Sequence, residues 1–350
     1  MSIGERISYA RKAKRYSMRD LAEKIGLSAM AISKYERELS IPSSKVLRLL
    51  SEALDVKVEY FFRPNRLGVE LKAFRKHVAL SVKDQASIQV KIQDWIERYC
   101  EVEELFPDEQ KDVSLPFHKV YTLQDAENLA SRLRQQWNLG NDPIENFTQL
   151  LEDKGIKVGL VSGYDHFDAC TFKVGDKHVI VSKEGLPGDR QRFNIGHELG
   201  HLMMDVQKGV NAEKAANVFV SAFLIPAESA RFELGSVRSD LSFGELFLLK
   251  QKYGVSMQAW IYRASELNII TANKARSLFQ QFRANGWHKT EPGDQIPPEE
   301  PMRMEQLIYR ALAEELISQS RAQELLGKPL YLFWDAQALK GNGIPVSIGD

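Results

Sequence analysis

Two histidines and a glutamate stand within five consecutive residues, at a spacing that suits a metal-dependent hydrolase. The segment reads His197-Glu198-Leu199-Gly200-His201. Side chains four residues apart lie on one face of an α-helix, so both histidines can bind a single metal ion. The glutamate between them can take a proton from a metal-bound water while that water attacks a carbonyl carbon. The pentapeptide therefore predicts a catalytic zinc site with His197 and His201 as ligands and Glu198 as the general base.

A third ligand must come from elsewhere, because a catalytic zinc ion usually has three protein ligands and keeps one position for water. Glu213 is the favoured residue, since Gly209 permits a turn and a second helix could then fold back against the first. Asn217 would share a helix face with Glu213 and could orient its carboxylate. Two alternative ligands stay open at this point, namely Asp205 and His178.

Two simpler explanations compete with catalysis. One is a solvated helix that carries two histidines by coincidence. An apolar stripe on this helix, formed by Ile195, Leu199, Leu202 and Met203, argues against coincidence. Such a helix is half-buried, and burying histidines that bind no ligand would lower the stability of the fold. The other is a metal site without turnover. Several nearby polar residues could support the site or contact a substrate: Tyr164, His166, Asp168, Arg190 and Arg192.

The motif lies between a β-rich segment and further helices. Helical periodicity begins at Arg190, and a second helix is predicted from Asn211 to Leu224, before Pro226. Gly200 has no side chain, so another backbone could pack close to the first helix. A small sheet is predicted from three short β-rich runs, at 156–161, 167–172 and 178–181. Other helices are predicted over 122–137, 143–154 and 242–286.

The N-terminal part of the chain has a helical pattern of its own. Apolar residues recur at helical spacing throughout residues 3–62, and residues 17–36 fit a helix-turn-helix. Ala22 is small where the two helices would cross. Gly26 suits the turn, where a left-handed backbone is easiest, and Ile32 would anchor the second helix in the core.

The charge distribution favours a nucleic-acid contact at this end. Residues 1–65 hold 13 Lys and Arg against 8 Asp and Glu, whereas the remainder holds 34 against 39, in a chain of zero net charge. The start of the second helix would meet base edges, which predicts contacts from Ser28, Ala29, Met30, Ser33, Lys34 and Arg37. Phosphates could be bound by Arg11, Lys12, Lys14, Arg15 and Arg19. The simpler alternative is a helical bundle used for dimerisation.

Composition predicts four segments along the chain. These are a helix-turn-helix domain at 1–65, a helical connector at 66–115, a metallopeptidase domain at 116–288, and a linker with a C-terminal helical segment at 289–350. The linker prediction rests on the Pro- and acid-rich stretch 291–301, which precedes a helical piece at 303–326. The connector helix at 87–105 has an apolar stripe that could form a dimer face, although such stripes more often belong to a core.

A second segment, residues 246–270, also has helix-turn-helix spacing. It lacks a basic surface of comparable density, so a structural or substrate-docking role is favoured over DNA contact.

Cysteine content and hydropathy bear on the compartment. The two cysteines, Cys100 and Cys170, are far apart and form no C-x-x-C pair, which favours a reducing environment over a disulfide framework. No apolar run follows the first methionine, and no stretch of 18 apolar residues occurs. We therefore expect a cytoplasmic protein with no signal peptide and no membrane span.

The metal-motif region resembles the ImmA/IrrE family of metallopeptidases. The resemblance covers 118–285 and rests on the run 189–202, on Glu213-x-x-Ala216-Asn217-x-Phe219, and on Ala-Phe-Leu-Ile-Pro at 222–226. It implies zinc bound by His197, His201 and Glu213, with Glu198 catalytic. Known members of the family cleave repressor proteins and so switch on mobile-element or DNA-damage genes. Two positions depart from the family pattern without touching the implied ligands, Asn194 (commonly threonine) and Val220 (commonly alanine).

Residues 3–62 in turn resemble Xre-type, phage-repressor-like domains, chiefly through the stretch 30–37. Such domains usually act as dimers on inverted repeats, which implies a homodimer on operator DNA. The expected fold is mainly α with a small β-sheet (α+β): an all-α helix-turn-helix domain, a zincin-like metallopeptidase domain and a C-terminal helical segment.

We therefore expect a DNA-binding regulator whose zinc endopeptidase domain hydrolyses a regulatory protein, such as a repressor or antitoxin-like partner, or the chain itself. The alternative is a non-proteolytic repressor or antitoxin of a toxin–antitoxin or prophage operon. In that case a cognate toxin would be the partner, and the metal site would be structural or sensory.

Overall fold

The computed structural model describes residues 2–63, 80–109, 117–174 and 177–327. The chain divides into two compact units. The first holds residues 1–90 and 112–301, and the second holds residues 91–111 and 302–350. Parts of all four predicted segments lie outside the described residues. These are 1 and 64–65 of the helix-turn-helix domain, 66–79 and 110–115 of the connector, 116 and 175–176 of the metallopeptidase domain, and 328–350 of the C-terminal segment.

The N-terminal domain is a bundle of short helices. They are α1 (Ile3–Ala13), α2 (Met18–Ile25), α3 (Ala29–Glu36) and α4 (Ser44–Leu54), followed by a 3-10 turn (Val58–Phe62). Gly26 ends α2 with a left-handed backbone, at a φ of +67°, and Ser28 caps α3 by accepting the N–H of Ala31. Ile32 is fully buried in the core that these helices share. The predicted helix-turn-helix geometry is confirmed.

Helix α5 (Val82–Glu103) is the main described element of the connector. Its start, before the predicted residue 87, is stabilised by Ser81, whose Oγ accepts the backbone N–H of Asp84 at 3.1 Å. Ile88, Ile92 and Ile96 on its apolar stripe are at most 1% exposed within this single chain. The stripe therefore packs as core, the simpler of the two interpretations.

A small three-stranded sheet precedes the metal motif. The elements here are β1 (His118–Val120), α6 (Leu123–Gln136), α7 (Phe147–Asp153), β2 (Lys157–Val161), β3 (Ala169–Val174) and β4 (Lys177–Lys183). Strand β4 is central, with β2 parallel to it on one side and β3 antiparallel on the other. All three strands of this sheet correspond to predicted segments, whereas β1 has no predicted counterpart.

The metal motif lies on α8 (Gly188–Met203), which is followed by β5 (Met204–Val206) and α9 (Ala212–Leu224). Strand β5 pairs in parallel with β1 and forms a second sheet, which is why α8 ends at Met203. Two glycines let α9 approach α8 closely. A Cβ on Gly196 would lie 2.5 Å from Cγ2 of Val220, and one on Gly200 would lie 3.0 Å from Cδ1 of Phe219. The neighbour that approaches Gly200 is thus a side chain of α9, not a backbone.

Four helices complete the helical part of the first unit. They are α10 (Ala227–Leu234), α11 (Phe243–Tyr253), α12 (Met257–Glu266) and α13 (Ala272–Ala284). Helix α10 has no predicted counterpart. The helical region predicted over 242–286 is divided at Gly254, whose φ is +63°, and again at Thr271, which caps α13. Trp260 and Ile261 of α12 are fully buried in the large core that also includes residues of α6, α8 and α9.

Replacing Gly196 by alanine is expected to lower the free energy of unfolding by about 1–3 kcal/mol. The new methyl group would overlap Val220, whose side chain is fully buried. Equilibrium urea unfolding measures the loss. Gly244→Ala on α11 is the matched control, because no atom lies within 4 Å of its added Cβ and alanine favours the helix by up to about 1 kcal/mol. Equal stability of the two variants would contradict the close packing of α8 on α9.

Residues 291–299, where composition favours a linker, form a packed strap on the first unit. Glu291 accepts the backbone N–H groups of Met257 (3.0 Å) and Gln258 (3.1 Å) at the start of α12. Glu299 accepts those of Phe147 (3.0 Å) and Thr148 (2.7 Å) at the start of α7. The acidic residues that suggest a solvated linker are in fact helix caps, and their partners lie more than thirty residues away in sequence.

The second unit combines the end of α5 with α14 (Arg303–Ala313) and α15 (Gln319–Leu326). Nη1 of Arg98 donates to the carbonyl oxygen of Leu325 at 2.5 Å, and the guanidinium of Arg310 lies 4.6 Å from the ring centre of Phe106. These two helices correspond to the helical piece predicted over 303–326.

The fold is mainly α with small sheets, which confirms the predicted α+β class. Across the described ranges, no helix combines the length and the apolar character that a membrane crossing requires.

Candidate metal centre and nucleic-acid interface

Helices α8 and α9 bring three potential metal ligands together. Nε2 of His197 lies 3.1 Å from Nε2 of His201 and 3.2 Å from Oε2 of Glu213. Nε2 of His201 lies 3.2 Å from Oε1 of the same carboxylate. Ligand atoms of a tetrahedral zinc ion stand roughly 3.3–3.6 Å apart, so the three atoms need only a small relaxation to bind one. Among the described residues, these three are the ones whose geometry suits a metal ion.

The hydrogen-bond chemistry of the cluster calls for a cation. Oδ1 of Asn217 lies 2.9 Å from Nδ1 of His197. Because this oxygen can only accept, Nδ1 donates to it, and in the neutral ring Nε2 then presents a lone pair. That lone pair faces the carboxylate of Glu213, so two acceptors stand at hydrogen-bond distance. A shared divalent ion would remove their repulsion, and a set of two imidazoles and one carboxylate fits zinc.

The cluster is reachable from solvent on one side. The side chain of Glu213 is 37% exposed and that of His197 is 18% exposed, whereas that of His201 is only 4% exposed. A structural zinc ion usually has four protein ligands and a closed shell, and a catalytic one has three. A three-ligand cluster with an open side therefore matches a catalytic site.

Asn217 orients a histidine, whereas the sequence suggested that it would orient the carboxylate of Glu213. Its amide oxygen fixes the tautomer and the ring direction of His197 through Nδ1. Both predictions place Asn217 beside the ligands. The difference arises because Asn217 lies one helical turn beyond Glu213, next to the ring that reaches across from α8.

Asn217→Ala is expected to weaken zinc binding by about 10–100-fold, because the ring of His197 loses the partner that orients it. Competition titration with a chelating dye measures the dissociation constant. Lys214→Ala is the control, since Lys214 is exposed on the same helix and its backbone, not its side chain, receives the cap from Asn211. If both variants bound zinc as tightly as the unmodified chain, the positioning role of Asn217 would be refuted.

The two alternative ligands lie away from the cluster. Asp205 is on β5, opposite Lys119 of β1, because α8 ends before it and the helical spacing from His201 no longer applies. His178 lies on β4, opposite Lys173 of β3. Glu213 is thus the third ligand that the geometry supports.

Glu198 follows His197 on α8 and is half-buried. Burial, and secondarily the negative charge of Glu198, raise the pKa of the Cys170 thiol on β3 well above its ordinary value. The charge of Glu198 therefore acts on a residue of β3, and the raised pKa keeps the Cys170 thiol protonated. Sequence reasoning assigned Cys170 no place near the site, because only the packing of α8 on β3 reveals it.

The two arginines at the start of α8 have different roles. Arg190 pairs with the exposed carboxylate of Asp168, at 2.8 and 3.0 Å. Arg192 is buried and its guanidinium is surrounded by acceptors; these are Ile144 O (2.9 Å), Glu145 O (2.5 Å), Tyr253 O (3.0 Å) and Glu299 Oε1 (2.7 Å). Arg192 thus connects α8 to the strap, to the loop before α7 and to the end of α11. Of the other strand-side residues, Tyr164 is buried and His166 is exposed.

The second segment with helix-turn-helix spacing is capped in a way that disfavours DNA contact. Gly254 has nearly the same left-handed backbone as Gly26, and Ser256 caps α12 as Ser28 caps α3. At α12, however, the carboxylate of Glu291 occupies the free N–H groups at the start of the helix. A buried carboxylate lies where a phosphate would have to bind, which supports a structural role for this segment.

Helix α3 of the N-terminal domain presents most of the predicted base-contacting residues to solvent. The exposed ones are Ser28, Met30, Lys34 and Arg37, and the half-buried ones are Ala29 and Ser33. Met30 is 67% exposed although it is apolar. An exposed apolar residue at the start of such a helix suits contact with a thymine methyl group.

The predicted phosphate ligands divide into two groups. Arg19 is exposed, and Lys14 is partly exposed and pairs with Asp55 at 3.0 Å. Arg11 instead lies inside the domain, where it forms a two-pronged pair with Glu36 (2.6 and 2.8 Å) and donates to the carbonyl oxygen of Tyr16. Each nitrogen of its guanidinium donates one hydrogen bond inside the domain, so Arg11 has a stabilising role here.

Two family models match the chain. The helix-turn-helix model matches residues 7–61, and the peptidase M78 model, described as the IrrE N-terminal-like domain, matches residues 153–265. Both resemblances that the sequence suggested are confirmed. The second match is narrower than the expected 118–285 and includes the whole metal cluster.

Curated relatives match 16–24% of the chain. Multiprotein-bridging factor 1 of Saccharomyces cerevisiae is 39% identical over 75 residues, which are 21% of this chain and 47% of the relative. The HTH-type transcriptional regulator DicA of Escherichia coli is 33% identical over 84 residues (24% and 62%). SinR of Bacillus subtilis is 46% identical over 57 residues (16% and 51%). The chain spans about half of the length of these relatives.

Two solved structures align over nearly the whole chain, with low sequence identity and low TM-scores. A crystal structure of Bacillus thuringiensis PlcR in complex with the peptide PapR7 and DNA has 14% identity and a TM-score of 0.17, over 96% of this chain and 98% of that one. The apo form of ComR from S. thermophilus has 11% identity and the same TM-score, over 97% and 99%.

Proposed function

We propose that this chain, which joins a helix-turn-helix domain to an IrrE N-terminal-like domain, is a DNA-binding transcription regulator with a zinc-dependent endopeptidase activity. The observation that carries the proposal is the cluster of His197, His201 and Glu213, open on one side, with Glu198 next to it in the sequence. The proposed substrate is a regulatory protein, because the chain couples this site to a DNA-binding type of domain.

The residues divide the chemistry among them. His197, His201 and Glu213 would hold the zinc ion, and Asn217 keeps the first of these rings in the binding tautomer. A zinc ion supplies a polarised water with a pKa near 7 and an electrophile for a carbonyl oxygen. Glu198 accepts the proton of the attacking water and can pass it to the leaving amine nitrogen, so it acts first as base and then as acid.

The N-terminal domain supplies the proposed DNA contact. The relatives that match part of this chain include proteins named as HTH-type transcriptional regulators. The exposed face of α3 would read bases in the major groove, with Lys34 and Met30 among the side chains that reach them. Arg19 and Lys14 would bind phosphates, which fixes position without adding sequence choice.

The peptidase activity is tested by incubating the zinc-loaded chain with the protein encoded next to its gene and analysing the mixture by mass spectrometry. Discrete fragments, absent after chelation of the zinc, are the expected result. An intact partner in every condition would refute the endopeptidase. It would favour a non-proteolytic repressor or antitoxin with a structural or sensory metal site.

The DNA-binding function is tested by a mobility-shift assay with a duplex taken from upstream of its own gene. Lys34→Ala is expected to weaken binding by about 5- to 150-fold, the usual cost of a lost base contact. Lys57→Ala, an exposed lysine beyond α4, is the control and should change affinity little. No shift with the unmodified chain would refute the proposed regulator, and equal losses in both variants would refute the reading role of α3.

A further inference from the structure

The N-terminal domain and the loop between β2 and β3 meet within the first unit at a junction built on Arg15. Nε of Arg15 pairs with Oδ1 of Asp84 at 2.9 Å, and Nη2 donates to the carbonyl oxygen of Gly163. The carbon at the centre of its guanidinium lies 4.2 Å from the ring centre of Tyr164. The nitrogens of the guanidinium therefore make an ion pair and a hydrogen bond, while its face packs on the ring of Tyr164. We call this set of contacts the Arg15 junction.

A buried hydroxyl completes the Arg15 junction. Oγ of Ser87, on α5, lies 2.6 Å from the carbonyl oxygen of Ala13 at the end of α1 and 2.7 Å from the hydroxyl of Tyr164. The single proton of Ser87 goes to the carbonyl, which can only accept, so Tyr164 donates to Ser87. Ser87 is fully buried and Tyr164 is 3% exposed. The junction is thus a packed and hydrogen-bonded interface.

The position of Arg15 in the sequence gives it a second possible partner. It lies between α1 and α2, next to the basic face that is predicted to follow the phosphate backbone. Its backbone has a φ of +60°, which a non-glycine residue keeps when its surroundings hold it in place. The guanidinium of Arg15 therefore contacts the β2–β3 loop in the structure, whereas the sequence predicts that it binds DNA phosphates.

We propose that DNA phosphates and the β2–β3 loop compete for Arg15, so that the closed junction weakens DNA binding and bound DNA opens the junction. The inference rests on the proposed DNA-binding function. Because the two partners share one side chain, their effects on each other are reciprocal. The free energy by which the closed junction weakens DNA binding equals the free energy by which bound DNA destabilises the closed junction.

The β2–β3 loop connects the Arg15 junction to α8, the helix that carries His197 and His201. From Tyr164 the loop runs to Asp168, whose carboxylate pairs with Arg190 of α8. Arg190 lies two turns before His197 on the same helix. Release of Arg15 therefore removes two contacts, with Gly163 and Tyr164, from one end of a loop whose other end is bound to the helix that carries two of the metal ligands.

The affinity test uses the full chain and a short duplex of random sequence at low salt, because a phosphate contact does not depend on base sequence. Asp84→Asn is expected to raise the affinity up to about fivefold, the range for a partly exposed ion pair. Tyr164→Leu, which changes no charge, should act in the same direction. Neither variant should raise the affinity when Arg15 is already alanine.

A control separates release of Arg15 from a general loss of negative charge. Glu52→Gln removes one charge from an exposed residue of α4 that is not part of the Arg15 junction, and should leave the affinity of the random duplex nearly unchanged. If Asp84→Asn and Glu52→Gln raised the affinity equally, or if Asp84→Asn acted just as strongly beside Arg15→Ala, the competition would be refuted.

Hydrogen exchange supplies a second readout that does not depend on affinity. Addition of the duplex should speed exchange of the backbone amides at residues 162–168, and this acceleration should be absent in Arg15→Ala. Unchanged exchange in the unmodified chain would overturn the inference. Failure of the unmodified chain to bind any duplex would instead refute the proposed DNA-binding function, so the two failures are distinguishable.

Discussion

Replacing Glu198 by glutamine is expected to slow peptide hydrolysis by about 10²–10⁴-fold while zinc binding is retained. Glutamine preserves the size of the side chain, but its amide cannot accept the proton of the attacking water. Glu198 is not one of the three clustered ligands, so the metal content should stay unchanged. The initial rate of fragment formation and the zinc content per chain are the two measurements.

Glu184→Gln is the control for the loss of a carboxylate near the same helix. Glu184 is exposed in the turn before α8 and should leave the rate unchanged. A Glu198→Gln protein that cleaves as fast as the unmodified chain would show that another group acts as base. Loss of zinc from this variant would instead make Glu198 a ligand, against the geometry of the cluster.

Replacing Arg192 by glutamine is expected to lower the free energy of unfolding by about 3–5 kcal/mol. The shorter glutamine no longer pairs with Glu299, whose side chain is only 9% exposed. The carbonyl oxygens of Ile144 and Tyr253 also lose their hydrogen-bond donor. Glu299 would then be a buried charge whose remaining partners are neutral N–H groups. Equilibrium urea unfolding followed by tryptophan fluorescence measures the change.

Arg190→Gln, two residues away on the same helix, is the matched control. Its ion pair with Asp168 is more than half exposed on both sides, and such pairs contribute about 0–1 kcal/mol. Arg192→Lys keeps the charge but not the fork, and should fall between the two. Equal stabilities of Arg190→Gln and Arg192→Gln would refute the idea that the strap fastens the metal helix.

Much of the metal site is a property of local sequence. His197 and His201 share a face because of helical periodicity, and Glu198 is adjacent by its place in the pentapeptide. The third ligand needed a choice among Glu213, Asp205 and His178. Helical spacing kept Asp205 as a rival to the favoured Glu213, because no local sequence signal shows that α8 ends at Met203 and that β5 follows it.

The strap shows why composition does not predict the structure of a segment whose contacts are with residues distant in the sequence. Glu291 and Glu299 belong to a Pro- and acid-rich stretch that is typical of a linker, yet both cap helices and pair with buried cations. The free energy of a buried carboxylate depends on its partners. Here the cations that pair with them, Lys250 and Arg192, lie 41 and 107 residues away.

The sequence by itself determined the helix-turn-helix, the two histidines of the candidate metal site and the class of fold, because each follows from residue type and short-range periodicity. Tertiary structure alone decided that Asn217 orients His197, that Arg11 is an interior residue, and that Arg15 contacts the β2–β3 loop. A side chain's role depends on which groups surround it. Those groups come together only when segments distant in the chain pack against one another.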